Sequence, residues 1–281
     1  MSAGLPDAVG GNWLAAGLCA YALATLVCAW GEVTRWRRAR NAGFVCLLAA
    51  LAINGGAIAA LGLAAGRPPF KTLYETLFLY AFCIALVCLV LVLVHGLWLL
   101  TPFCGAGALL CLVYAYHRPD LELALLPPAL QSAWFVPHVV TYFVAYAGLF
   151  ASFVLAALAL LKSRRRAAAL TPAPEQDAPL PLEEASHKAA VFGFTALTLG
   201  LAMGAAWGQA AWGDYWQWDP KENWAFITWL AYLAYLHLRR LADWRGRRVL
   251  WLNLACFAAV IFTYLGMNLL PAAGASLHVY Q

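Results

Sequence analysis

Two histidines and a knot of indoles are the residues of this 281-residue chain best suited to chemistry. The stretch WGDYWQWDPKENW, residues 212–224, holds four of the thirteen tryptophans. His138 stands in LQSAWFVPHVVTYF and His278 in the tail, AGASLHVYQ. Imidazole is a common ligand for transition metals, including iron in a macrocycle. Two imidazoles on one face of a membrane protein, with rigid indole surface between them, could hold a flat apolar ligand by its metal and its edge. Trp212, Trp216 and Trp218 are crowded outside any helical period beside Gly213, an arrangement that the aromatic belts of membrane interfaces explain poorly. A third histidine, His237, falls inside an apolar run, where an ionisable group is costly and by default marks function. The other reading of His237 is a side chain that snorkels to the interface beside Arg239 and Arg240.

The acids of the same stretch have a structural reading. Asp219, Pro220 and Glu222 fit the N-cap, first and third positions of a helix, a capping box with proline where its missing N–H costs nothing. Asp219 and Glu222 are therefore expected to start a helix and not to act as an acid/base pair.

What must position these groups is a membrane bundle. The chain is 64% hydrophobic and 11% charged, with mean hydropathy +0.73, against about 25% charged residues in ordinary soluble domains. A spanning helix needs about 20 mostly apolar residues. Eight runs qualify, near 12–34, 41–65, 73–95, 97–116, 138–161, 189–209, 223–241 and 249–271. The fourth carries Pro102 and two glycines and is the candidate for a kinked or re-entrant segment. The expected fold is all-α, one polytopic membrane domain over 1–281, with a flexible cytoplasmic linker at about 163–187 and an external Trp-rich loop at about 207–222. With the N-terminus outside, fourteen of the eighteen Lys and Arg residues fall in the inner loops, and only Arg67, Lys71, Arg118 and Lys221 fall outside. Positive residues favour the cytoplasmic side, so both termini are expected on the outer side. His138, His278 and the tryptophan loop then share that side, and His237 lies toward the inner one.

Other classes find little support. The eight cysteines lie in apolar runs without metal or CxxC spacing, which reads as packing. MSAGLPDAVGGNW lacks a basic region and a cleavage site, so the first span is expected to remain as a helix. The basic clusters read as topology signals, not as nucleic-acid patches. A secondary transporter and a non-catalytic membrane assembly factor stay open as alternatives.

Several segments carry a resemblance. WGDYWQWDPKENWAFITWLAYLAYLHLR resembles the tryptophan-rich (WWD) signature of the haem-handling cytochrome c assembly family. GRPPFKTLYETLFL, LPPALQSAWFVPHV and TYLGMNLL with LHVY resemble further segments of its CcsA (ResC) branch, which serves system II cytochrome c biogenesis. The resemblance implies that His138 and His278 are axial ligands of haem iron and that Trp212, Trp216, Trp218 and Asp219 cradle haem b, here a substrate. It implies that His237 ligates haem within the membrane. It further implies haem transport or presentation and covalent attachment to the CxxCH thiols of apocytochrome c, as a subunit of a haem lyase with a CcsB/ResB-like partner. The implied setting is a bacterial inner membrane or a thylakoid. Arg67, Lys71 and Lys221 are candidate counter-charges for the haem propionates.

Overall fold

A computed structural model describes residues 4–118, 126–168 and 181–266, with side chains described from residue 11 and over 11–118, 126–164 and 182–266. His278 and the tail after residue 266 lie outside the described residues, as do residues 169–180 of the expected linker. The described residues form eight α-helices: α1 (Gly4–Thr34), α2 (Arg37–Ala65), α3 (Leu73–His95), α4 (Thr101–His117), α5 (Phe135–Ala168), α6 (Pro181–Trp212), α7 (Pro220–Arg240) and α8 (Arg247–Tyr264).

Local chemistry explains the boundaries. Thr72 and Glu75 form a capping box at the start of α3, and Gly66 and Gly96 close α2 and α3 in the left-handed conformation. The fourth span is neither kinked nor re-entrant, because a short 3-10 turn at Trp98–Leu100 precedes α4 and Pro102 sits in its first turn, where proline is tolerated. α5 and α6 extend beyond their apolar runs. α6 opens on Pro181 with Glu183 and Glu184 in its first turn, favourable against the helix dipole, so His187 is helical and not in a linker.

The helices alternate between two ends. At one, Arg40 lies over the Trp98 ring, Arg164 over Trp251, and Arg239 pairs with Glu183. At the other, residues 70–71, 127–146, 201–225 and 263–264 converge. Among the described residues, seven helical segments are long and apolar enough to cross a membrane. α7 fails that test on composition, yet it runs the length of the bundle: Lys221 and Glu222 stand at one end and Arg239 reaches Glu183 at the other. Its polarity has a local cause, since its buried residues are Thr228, Tyr232, Tyr235 and Arg239.

α5 and α6 make the most extensive helix pair. Small residues allow it: a Cβ on Gly200 would lie 2.5 Å from the Tyr142 ring, and one on Gly204 would lie 2.7 Å from the His138 ring. These two glycines let α6 pass against the aromatic face of α5. That close approach sets the position of His138.

Candidate functional site

The ends of α5, α6, α7 and α8 remote from the Arg239–Glu183 pair form a cavity of about 260 Å³. Its walls are rich in rings, among them Phe70, Phe135, Tyr142, Phe143, Trp207 and Trp216, with His138, Lys71, Lys221 and Glu222 as the main polar groups.

His138 enters from the first turn of α5. Its Nδ1 lies 2.9 Å from the Gly200 carbonyl oxygen, which fixes that nitrogen as the donor and leaves the lone pair on Nε2. Metal-ligating histidines take this arrangement, because a carbonyl on one nitrogen fixes the tautomer and the ring orientation. Two rings hold the imidazole: Trp207 stacks on it at 5.6 Å and 28°, and Tyr142 lies at 4.8 Å and 56°. Trp207 is itself anchored, since Nε1 donates to the Ala129 carbonyl at 2.8 Å and its ring meets Trp212 at 4.9 Å.

Trp212 is the last residue of α6, so the expected loop of 207–222 narrows to the segment between α6 and α7, and the tryptophans at this end divide into an inward and an outward part. Trp212 and Trp216 line the cavity. Trp218 does not: it is 70% exposed and stands edge-on to Trp216 at 6.0 Å. Its backbone is left-handed, φ 58°, uncommon and strained for a residue with a bulky side chain. The Asn223 amide donates to its carbonyl at 2.9 Å. The capping box expected at Asp219 is present. The Asp219 carboxylate accepts from Lys221 N at 2.8 Å, and Glu222 Oε2 accepts from Asp219 N at 3.1 Å. The same Glu222 oxygen accepts from Gln217 N at 2.9 Å, tying the loop to α7.

The counter-charge candidates separate. Arg67 is buried in a bidentate pair with Glu75, at 3.0 and 2.8 Å, and also donates to the Pro68 carbonyl. A guanidinium so held braces the turn before α3, which corrects its candidacy. Lys71 and Lys221 remain on the cavity wall. Burial of Lys221, on the outer-loop side of the apolar run of α7, pushes its pKa down to about 8, and the Asp219 carboxylate pulls the other way.

His237 is not part of this constellation. It is exposed in the last turn of α7, its Nδ1 on the Leu233 carbonyl at 2.9 Å, about 24 Å along the helix from Lys221. Trp207 and Tyr142 were missed in the sequence. Each looks like an ordinary apolar helical residue there, and only the α5–α6 approach reveals its contact with the imidazole. Among the described residues no three His, Cys, Asp or Glu side chains gather as a metal site, and all eight cysteines are free thiols. A single imidazole in an aromatic wall suits a ligand that brings its own metal and equatorial donors.

The family model for "Cytochrome C assembly protein" matches residues 70–273, a span that holds α3 through α8 and the whole cavity. The chain belongs to the cytochrome c assembly family. Within it, the chain is 35% identical to "Cytochrome c biogenesis protein CcsA" of Synechococcus sp. (strain CC9311) over 307 residues, covering 95% of this chain and 97% of that protein. It is 34% identical to the CcsA of Prochlorococcus marinus (strain MIT 9303), covering 100% and 96%. Among solved structures, "Cytochrome c Heme Lyase CcmF" shares the fold with a TM-score of 0.67 at 18% identity, over 94% of this chain. This chain spans 48% of that lyase's length. This cytochrome c assembly chain therefore has a fold also found within a longer chain.

Proposed function

We propose that the outer cavity binds haem b as a substrate and presents it for covalent attachment to the thiols of a CxxCH segment of apocytochrome c. One observation carries this reading: an imidazole whose Nδ1 is fixed on the Gly200 carbonyl faces an apolar cavity walled by Trp207, Trp212 and Trp216. Family membership and the CcsA relatives support it. His138 supplies one axial nitrogen and His278, from the C-terminal tail, the other. Trp212 and Trp216 carry the macrocycle, and Lys71 and Lys221 face its carboxylates. Asp219 acts through the helix start, holding Lys221 and the loop in register. Trp218 belongs to the outward face of the loop, toward the incoming polypeptide.

The attachment adds each thiol across a vinyl group: an S–C bond forms, the C=C bond becomes single, and the thiol proton ends on carbon. The chemistry resides in the haem and the thiols. The protein contributes position, which alone can supply most of the rate of such a step. The peptide histidine replaces one of the two axial imidazoles as product forms. His237, exposed toward the membrane on α7, acts earlier, as a haem ligand within the bilayer shared with a CcsB/ResB-like subunit. A bacterial inner membrane is the proposed setting, with the cavity on the outer side.

The test is the reduced absorption spectrum of the full-length chain purified with its co-expressed partner. We expect a Soret band that is lost or strongly reduced in His138→Gly and restored by added imidazole. A spectrum unchanged in His138→Gly would remove the axial assignment, and no Soret band in the unmodified protein would remove the haem reading.

A further inference from the structure

α7 has an inverted interior. It buries four side chains, Thr228, Tyr232, Tyr235 and Arg239, and all four are polar. Their spacing of four, three and four places them on one face, over about 16 Å of helix. A helix crossing lipid ordinarily places apolar groups against its neighbours and keeps ionisable ones rare.

Both ends of this face lead somewhere. At the outer end Thr228 Oγ1 lies 2.8 Å from Thr263 Oγ1, and Thr263 lines the cavity. At the arginine-rich end Arg239 pairs with Glu183 at 2.7 Å and Glu184 at 3.0 Å. Between them the Tyr232 and Tyr235 rings lie 6.3 Å apart, and Tyr235 meets the His187 ring at 6.0 Å. Cys256 of α8 donates to the Ala231 carbonyl at 3.3 Å, which brings Asn253, one turn earlier on α8, beside the same stretch.

Three of these side chains, each at most 1% exposed, carry a polar atom with no partner among the described residues: Tyr232 Oη, Arg239 Nε and Asn253 Oδ1. The Asn253 case follows from hydrogen-bond bookkeeping. Ser152 donates its hydroxyl proton to the Ser186 carbonyl at 2.7 Å, and Ser186 donates to the Ser152 carbonyl at 2.9 Å. Both hydroxyls can then only accept, so Asn253 must turn its NH2 toward them, at 2.7 and 2.9 Å, which leaves Oδ1 facing away. The three atoms differ in kind. An amide oxygen only accepts, a guanidinium N–H only donates and a phenol does both. A cation would meet the guanidinium, and an anion would meet Glu183 and the amide oxygen. Water satisfies all three, and buried polar groups left by the protein are ordinarily met by ordered water.

We propose that the polar face of α7 holds a file of internal water reaching from the Arg239 cluster to the Thr228–Thr263 pair, giving the outer cavity a second aqueous connection, toward the inner side of the membrane. This accounts for the low hydropathy of α7: one of its faces is built for water. The proposal is independent of the haem reading, since neither of its tests reads haem.

The first test is the sign of a stability change. Tyr232→Phe removes a hydroxyl whose counterpart is water on this account. The apparent Tm of the full chain in detergent is expected to fall by about 2–4 °C. In a dry site the same change removes an unsatisfied hydroxyl, so an unchanged or raised Tm overturns the proposal. The second test is an experimental structure of the full chain resolved finely enough to show ordered solvent. Water within hydrogen-bond reach of Tyr232 Oη and Asn253 Oδ1 is expected, and its absence at both atoms overturns the file.

Discussion

Gly204 offers the most direct test of how the bundle aims its imidazole. A Cβ at this position would lie 2.7 Å from Cε1 and 2.9 Å from Nδ1 of His138, about 0.7 Å inside ordinary van der Waals contact at the closer atom. The backbone of α6 is locked against α5, so in Gly204→Ala the ring must yield. Gly200 lies one turn away on the same helix, and a ring pushed off α6 by that amount stretches its 2.9 Å hydrogen bond to about 3.6 Å, a separation that no longer counts as one. Loss of a neutral hydrogen bond costs about 0.5–1.5 kcal/mol, and loss of the group that orients a metal-ligating histidine typically costs about 10–100-fold in affinity. The assay is a haem titration of the purified full chain, followed at the Soret band. Gly193→Ala is the control: its Cβ would crowd Leu149 at 2.6 Å on the same α5–α6 seam, far from the imidazole. Both variants are expected to lose thermal stability, and only Gly204→Ala to weaken haem binding. Equal haem affinity in Gly204→Ala and the unmodified chain would refute the reasoning.

Further outcomes follow from the same geometry. Trp216→Ala, which removes a cavity wall, is expected to weaken haem binding in that titration, whereas Trp218→Ala is expected to leave the affinity within about twofold, since its ring is not on the wall. Trp218→Gly relieves a left-handed backbone of φ 58° and is expected to raise stability by about 1 kcal/mol, seen as a higher Tm. Glu75→Gln leaves the Arg67 guanidinium buried without its carboxylate and is expected to cost about 3–5 kcal/mol in thermal or denaturant unfolding. Lys221, with its pKa lowered to about 8 by burial, is cationic below that pH and neutral above it. The affinity for a dicarboxylate ligand in the cavity is therefore expected to fall as pH rises through about 8, and Lys221→Met to abolish that limb of the titration.

The sequence made the helix starts visible, because capping boxes are local. Asp219 with Glu222 required only a few residues to read, and the structure adds a task for Glu222, the clamp on Gln217 N. His138 stood out as a candidate from its residue type, its position at a span boundary and its segment, and the structure places it on the cavity wall. Its orientation was not, because it depends on a carbonyl 62 residues away. Trp207 was hidden for the same reason. Arg67 misled, since a cation in an outer loop looks available to an anionic ligand until the fold brings Glu75 under it. The polar face of α7 was present as a 4-3-4 spacing of Thr228, Tyr232, Tyr235 and Arg239, but mean hydropathy averages around the helix and discards the side on which each residue lies. The linker boundaries differed because hydropathy marks where lipid begins, not where a helix does. Pro181, Glu183 and Glu184 start α6 in front of its apolar run.

The double use of Glu222 Oε2, which holds both Asp219 N and Gln217 N, has a mechanical consequence. The segment from Gln217 to the first turn of α7 is tied to the helix at two points, directly beside Trp216. A tilt or slide of α7 would therefore be felt at Trp216, on the cavity wall. Changing the length of the segment between Trp216 and Glu222 by one residue would break this tie and leave both ends folded but no longer coupled.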